Sequence, residues 1–284
     1  MSRLQRLTHA VSAPLTAQLI RVGHHSTRLV GRHLGERFPF YYVTEYQKSG
    51  GTWLGQMIAE SLQLAFPQHP RLPVLRPAVL HNHWAYDPRL RRVFYLYRDG
   101  RDVMVSLWFH RMREIQAATA AGQPHSHTAV YERLFGRGYD PADTRRHLAR
   151  FIEHELAHPR GTRVAWPEHV ASWAFDRPHV VTLSYEALLA DAAAELTRCL
   201  PLHTGQPVDP ARVAAAVEHH RFARQTGRTA GQEDRSSFRR KGVAGDWINH
   251  FNREAGQRFE ASGGEVLRRL GYTAPPGWAD TLPE

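Results

Sequence analysis

Lys48 stands in a lysine-first turn, Gln47-Lys48-Ser49-Gly50-Gly51-Thr52-Trp53. The chemistry of such a turn is that of an anion held against backbone amides. An apolar, β-rich run (Phe40 to Val43) precedes it, and a helix is predicted to open near Thr52. A strand, a glycine turn and a helix N-terminus aim N–H groups and a dipole at a phosphate, and lysine adds a full charge. The order is not the G-x-x-x-x-G-K-[ST] of nucleoside triphosphatases, because here lysine comes first. A second group follows the apolar run Val93 to Tyr97, where Arg98 opens Arg98-Asp99-Gly100-Arg101-Asp102 and Ser106 lies one helical turn past Asp102. A guanidinium and a hydroxyl so placed can grip one phosphate from two sides. The competing reading pairs Arg98 and Arg101 with Asp99 and Asp102 on the surface. A third group is the cationic turn Arg240-Lys241-Gly242, bracketed by Phe238 and Trp247. Charge runs are usually solvated faces, but this irregular segment suits a loop closing over an anionic nucleotide.

The elements that must hold these groups read as an α/β fold. Residues 40–62 and 91–112 repeat one grammar of buried strand, polar glycine turn and helix, and Val180 to Ser184 with the helix after it gives a third unit. Such units imply a central parallel sheet with right-handed crossovers and helices on its faces, binding ligands at the strands' C-terminal ends. The fold class is a single α/β domain, P-loop nucleotide-binding-like, over residues 37–284. Residues 66–92 are rich in Pro, His and Arg and read as loop. Residues 114–160 lose the periodicity and read as a mobile or helical insertion on the acceptor side. Trp166 to Phe175 forms a short helix, residues 222–246 are too rich in Gly and Arg for a long element, and helical pieces are predicted around Trp247 to Glu260 and Val266 to Leu270.

Residues 1–36 read as a basic, helical N-terminal extension, with Leu4, Leu7, Val11, Leu15, Leu19 and Val22 at helical spacing. The plainer expectation is a helix packed on the domain; the sharper one is a helix lying on a membrane surface.

The chain has 284 residues, 42% hydrophobic and 23% charged, enough for one large α/β core. Its net charge of +10, from Lys+Arg 37 against Asp+Glu 27, is mostly arginine and favours anionic partners. The single cysteine, Cys199, excludes an intrachain disulfide and a cysteine-based zinc site, and favours a reducing compartment. No run reaches the roughly 18 apolar residues of a membrane span, and the N-terminal stretch, interrupted by Pro14, is a poor signal peptide. The expected compartment is cytoplasmic.

In combination the three groups are specific. Lys48-Ser49-Gly50-x-Thr52-Trp53, then Arg98-Asp99-x-Arg101-Asp102-Val103 with Ser106 beyond, then Arg240-Lys241-Gly242 before Gly245-Asp246-Trp247, resembles the cytosolic-type sulfotransferase family from about Phe40 to Phe251. The resemblance implies 3′-phosphoadenosine 5′-phosphosulfate as sulfo donor, adenosine 3′,5′-bisphosphate as product, and no metal. It implies that Lys48, Ser49, Gly50, Gly51 and Thr52 cradle the 5′-phosphosulfate, with Trp53 and Tyr185 beside the adenine. Arg98 and Ser106 would hold the 3′-phosphate, completed by Arg240, Lys241 and Gly242. Lys48 would assist the leaving group. Gly51 stands where many members have Thr. The family's general base lies between the two nucleotide motifs, where Leu80-His81-Asn82-His83-Trp84 offers two histidines. His83 matches the family's Lys-x-His pattern, with His81 in the lysine's place and as the second candidate base.

The acceptor implied is a small molecule or lipid bearing a hydroxyl or amine, with residues 66–92 and 114–160 lining its pocket. The family's dimer-forming segment is not matched by Ile248, Asn252, Arg253 and Gln257, so the oligomeric state stays open. Two other readings remain at this point. A nucleotide kinase is opposed by the missing Gly-Lys-Ser/Thr order. A nucleic-acid-binding module is opposed by the clustering of basic residues at turns rather than along one stripe.

Overall fold

A computed structural model describes residues 3–35, 37–38 and 40–284, with the backbone alone for residues 3–14 and 17. In chain order it shows α1 (Arg3–Leu34), β1 (Phe40–Glu45), α2 (Gly51–Ser61), β2 (Ala78–Asn82), β3 (Val93–Tyr97), α3 (Gly100–Ala120), α4 (Thr128–Phe135), α5 (Thr144–Ala157) and α6 (Trp166–Trp173). There follow β4 (Val180–Ser184), α7 (Tyr185–Cys199), α8 (Pro201–Thr204), α9 (Pro210–His219), α10 (Phe222–Thr226) and α11 (Arg253–Arg269). The strands form one parallel sheet in the order β2-β1-β3-β4.

Alternation along the strands sends side chains to both faces. Val43, Val79, Phe94 and Leu96 pack with Leu54, Met57 and Ile58 of α2 and with Leu188 and Leu196 of α7. Phe40, Tyr42, Leu80, Val93 and Tyr95 pack on the other face with Trp173 of α6. A further core joins α3, α4, α5 and α11 around Trp108, Phe151 and Phe259. The expected parallel α/β fold with helices on both faces is therefore present, and the three expected strands fall where the sequence places them.

Three readings need correction. Residues 66–92 are not all loop, because they contain β2. Its apolar run is only Ala78, Val79 and Leu80 before His81 and Asn82, too short to signal a strand, and it sits at the sheet's edge with β1 on one side. Residues 114–160 are not an acceptor-side insertion: they hold the end of α3 and all of α4 and α5, and Tyr131, Leu148, Phe151 and Ile152 are buried in the core. The two late helical pieces are not as expected: Trp247 lies in a 3-10 turn, Asp246–Asn249. The rest joins into one helix, α11, running through Gly263 and Gly264, where a side chain at 263 would collide with the ring of Phe259 and one at 264 with Glu260.

Helix α1 is continuous, and its C-terminal half is docked on the domain as expected. The docking face is not the apolar series, however. Leu15, Leu19 and Val22 are exposed, and the side chains of Leu4, Leu7 and Val11 lie outside the described residues. The buried positions are Gly23, Thr27 and Gly31, a small residue at every fourth place. The Oγ1 of Thr27 accepts the Val74 N–H at 3.0 Å, Arg32 pairs with buried Asp87 at 2.6 Å, and Arg28 lies 4.9 Å over the Trp84 ring. A Cβ on Gly23 would run into the Pro70 carbonyl. No described helix is long and apolar enough to cross a membrane.

Gly23→Ala would gain about 0.8–1 kcal/mol of helix propensity, but overpacking against a backbone carbonyl costs about 1–3 kcal/mol. The substitution is expected to lower the midpoint of thermal unfolding; an unchanged or raised midpoint would show that α1 is not docked this closely.

Candidate functional site

The C-terminal ends of β1, β2 and β3 open into a cleft of about 800 Å³. Lys48, Gly50, Gly51, Thr52, Trp53, His83, Arg98, Ser106, Tyr185, Arg240, Lys241 and Gly242 all line it, so the sequence-expected residues converge. Ser49 lies in the same loop, fully buried, with no partner for its Oγ among the described residues. Lys48 and Lys241 are the only lysines of the chain, and both face this cleft. With arginine used at every other cationic position, these are not ordinary solvated charges.

The turn after β1 owes its shape to two left-handed residues, Lys48 (φ 73°) and Gly50 (φ 105°). Gly50 is the N-cap of α2 and brings no capping side chain, so the orphan amides at that end look to other acceptors, the Glu45 carboxylate taking that of Gly51. A Cβ on Gly50 would lie 2.8 Å from the Tyr185 ring, so glycine is required twice over. Burial pushes the Lys48 ammonium down to about 8, against the attraction of Glu45. Its Nζ lies 4.0 Å over the ring of Phe238, which arrives from the late cationic segment.

Glu45, at the end of β1, is a site residue that the sequence reading missed. Its buried carboxylate accepts the Gly51 N–H at 2.5 Å and His81 Nε2–H at 3.0 Å. Burial would raise this carboxyl, but the hydrogen bond and charge of His81, the charge of His83 and the Gly51 amide together hold it below the usual range. A Cβ on Gly51 would lie 2.7 Å from both the Glu45 carboxyl carbon and His81 Nε2. The glycine at position 51 and the histidine at position 81 are thus two sides of one packed unit with Glu45 between them. Glu45, His81 and His83 also present ligand atoms within 4.8 Å of one another.

His83 Nδ1 lies 3.1 Å from the backbone carbonyl of Glu45. A carbonyl only accepts, so Nδ1 carries the proton and Nε2 is left with its lone pair. Burial holds this imidazole down at about 4, with Glu45 opposing, so it is neutral near pH 7.

On the other side of the cleft Arg98 and Arg101 do pair with the neighbouring carboxylates, and Arg98 also lines the cleft. Arg98 pairs with Asp102 at 3.3 Å and Arg101 with Asp99 at 2.7 Å, but these pairs are buried rather than on the surface. Arg98 also donates to the Val243 carbonyl at 3.1 Å and stacks 4.3 Å over Tyr185, while its Nε has no partner among the described residues. Asp102 accepts the Gly245 N–H at 2.7 Å and the Trp247 N–H at 2.9 Å. This fastens the Arg240-Lys241-Gly242 turn beside α3. There Arg240 and Lys241 both reach Asp246 at 2.5 Å. Burial would raise the Asp246 carboxyl, but bonds from His250, Lys241, Arg240 and Asn249 hold it far below the usual range.

Trp53 meets Tyr185 edge-on at 6.0 Å, and its indole N–H donates to the His220 carbonyl at 3.0 Å. Arg239, Phe222 and His220 line this end and were also missed. They lie in helix ends and the irregular late segment, where no local pattern marks them. Residues 66–92 contribute Gln68, His69 and His81 to Trp84 to the opposite end, whereas none of residues 114–160 borders the cleft.

A model described as "Sulfotransferase domain" matches residues 59–271, a segment that begins after the Lys48 turn. Human sulfotransferase 2B1 is 23% identical over 272 residues, spanning 81% of this chain but only 66% of its own length. Human sulfotransferase 1C2 is 22% identical over 258 residues, 80% of this chain and 81% of its own. Among solved structures, mouse sulfotransferase SULT7A1 complexed with PAP superposes with a TM-score of 0.57 at 21% identity, covering 82% of this chain and 88% of that one. Retinol dehydratase in complex with androsterone and inactive cofactor PAP gives 0.57 at 18% identity, covering 83% and 82%.

The packing of Glu45, Gly51 and His81 has a direct test in a double-mutant cycle read by denaturant unfolding. Gly51→Ala alone should destabilise the protein, and adding Glu45→Ala should relieve part of that loss. Coupling for residues in contact is about 0.5–3 kcal/mol; strictly additive effects would show that the three do not share one space.

Proposed function

The chain belongs to the sulfotransferase family, and we propose that it moves a sulfo group from 3′-phosphoadenosine 5′-phosphosulfate to a hydroxyl, or an amine, of a small-molecule acceptor. The observation that carries this reading is the meeting, in one cleft, of an anion-binding turn with Lys48, a second cationic group around Arg98, and a neutral histidine. A donor with phosphates at two ends of an adenosine needs two separate anion sites, and the cleft presents two separate cationic groups, around Lys48 and around Arg98.

The residues present fit such a donor. Ser49 Oγ at one end and Arg98 Nε at the other are buried without partners among the described residues. Buried polar groups left in that state are costly, so each marks a place prepared for a ligand. Lys48, Ser49, Gly50 and Thr52 would hold the 5′-phosphosulfate, with Gly51 lining the same turn but its N–H committed to Glu45. Arg98, Ser106, Arg240, Lys241 and Gly242 would hold the 3′-phosphate, and Trp53 and Tyr185 the adenine. The donor, when bound, supplies an electron-poor sulfo group already attached to a good leaving group.

The chain's own part is positioning and charge. His83 Nε2 takes the proton of the acceptor hydroxyl as its oxygen bonds to sulfur. The bond between sulfur and the phosphate oxygen breaks, and Lys48 neutralises the charge that collects on that oxygen. His81, bound to Glu45, is held away from the role of base. Arg240 and Lys241 must exchange part of their bonding to Asp246 for the 3′-phosphate. The reaction belongs in the cytoplasm, consistent with one buried thiol, Cys199.

Incubation with donor and a hydroxyl acceptor library, scored for the mass gain of one sulfo group, tests the activity. His83→Ala should nearly abolish transfer to hydroxyls while leaving affinity for adenosine 3′,5′-bisphosphate intact; near-normal turnover would sink the assignment. The pH profile adds a second check. His83 must be neutral, which holds above about pH 4, and Lys48 must be charged, which holds below about pH 8. kcat/KM should therefore be bell-shaped between these limits, and Lys48→Arg should remove the alkaline limb; a limb that persists belongs to another group.

A further inference from the structure

The end of the cleft away from the nucleotide site is built by three segments. The loop before β2 gives Gln68 and His69, and the turn after β2 gives Asn82 to Trp84. Helix α1 gives His24. The helix reaches this position because Gly23 meets Pro70, Thr27 holds Val74 and Arg28 covers Trp84. The helix expected to pack on the domain is thus also a wall of the cleft.

The composition of that wall is the informative part. Among the described lining residues the aliphatic ones are Leu189 and Val243. Leu189 is on α7 one turn past Tyr185, and Val243 follows the cationic turn, so both belong to the nucleotide end. The acceptor end carries His24, Gln68, His69 and Asn82, with Trp84 and Phe238 as its aromatic surfaces. Gln47 and His110 also line it, but Gln47 is bonded to Arg160 and Arg111, and His110 to Arg113 and Glu114. The Nδ2 amide of Asn82 is buried and has no partner among the described residues, although its Oδ1 accepts from Thr44 and from the Trp84 N–H.

Resting on the sulfotransferase reading, we propose that the acceptor is a polyhydroxylated molecule of carbohydrate type, held by the amides and imidazoles of this end with α1 as part of its binding site. A rigid hydrocarbon alcohol would strip water from these groups and return no hydrogen bonds, and an unpaired buried polar group opposes binding. Neutral imidazoles donate and accept at once, as a sugar hydroxyl does. Burial holds His24 below its ordinary value, which favours the neutral ring. Sites built to bond hydroxyls discriminate steeply against analogues that lack them.

Calorimetry on the full chain saturated with adenosine 3′,5′-bisphosphate separates the possibilities. The probes are 4-nitrophenyl β-D-glucoside and androsterone. The glucoside should bind at least about tenfold more tightly, the order expected when site hydrogen bonds go unmade. The double variant His24→Leu with His69→Leu should lose that preference while keeping its affinity for the bisphosphate, which also reports that it is folded. Androsterone binding as tightly as the glucoside, or a preference that survives both substitutions, overturns the proposal. Failure of the native chain to bind the bisphosphate would instead overturn the donor reading beneath it.

Discussion

The carboxylate of Asp102 sits in the first turn of α3, almost wholly buried, and binds Arg98 and the backbone amides of Gly245 and Trp247. It links segments about 140 residues apart in sequence. With Arg228, which donates to the Arg239 and Arg240 carbonyls, and the Gly231 and Asp234 amides, which bond Lys241 and Arg240, that link fixes the irregular stretch before Asp246 across from Lys48. Removing one partner from a buried pair costs about 3–5 kcal/mol because the other charge is left stranded, so the arrangement is rigid rather than incidental. Asp246 then serves the turn itself, holding Arg240 and Lys241 until an anion competes for them. Several cations can share one cleft only because buried carboxylates are interleaved among them.

Glu45 extends the same logic to the Lys48 turn. Its carboxylate lies on an amide at the helix end that would otherwise face the ligand, and beside a histidine where the family pattern has lysine. Read one at a time, Gly51 and His81 are departures from that pattern. Packed together they are a single substitution of one charge arrangement for another, because a side chain at position 51 cannot coexist with Glu45 and His81 in place. The consequence for chemistry is that His83, engaged through Nδ1 with the Glu45 carbonyl and near its carboxylate, keeps Nε2 as the free imidazole nitrogen.

Much of this was legible in the sequence. The strand–turn–helix units at Phe40, Val93 and Val180 came through because their apolar runs are long and their turns carry glycine or capping residues. The residues of the Lys48, Arg98 and Arg240 groups were found because each follows a recognisable element or stands in a marked motif. What escaped had no local signature. β2 is short and half polar. Glu45 looks like an ordinary strand residue until the fold brings Gly51 and His81 against it. Residues 114–160 read as irregular because α4 is short and α11, against which α5 packs, is distant in sequence. The apolar series on α1 misled in the opposite sense: periodicity identified the helix, but the face that docks is the one with Gly23, Thr27 and Gly31, which hydrophobicity does not mark.

The central claim is that two anion sites in one cleft accept a nucleotide phosphorylated at both 3′ and 5′ positions without help from a metal. Equilibrium binding of adenosine 3′,5′-bisphosphate and of ATP to the native chain, each measured in the presence of a chelator, is the direct test. The bisphosphate should bind markedly more tightly, with no change when magnesium is added. ATP binding more tightly, and only with magnesium, would contradict the account.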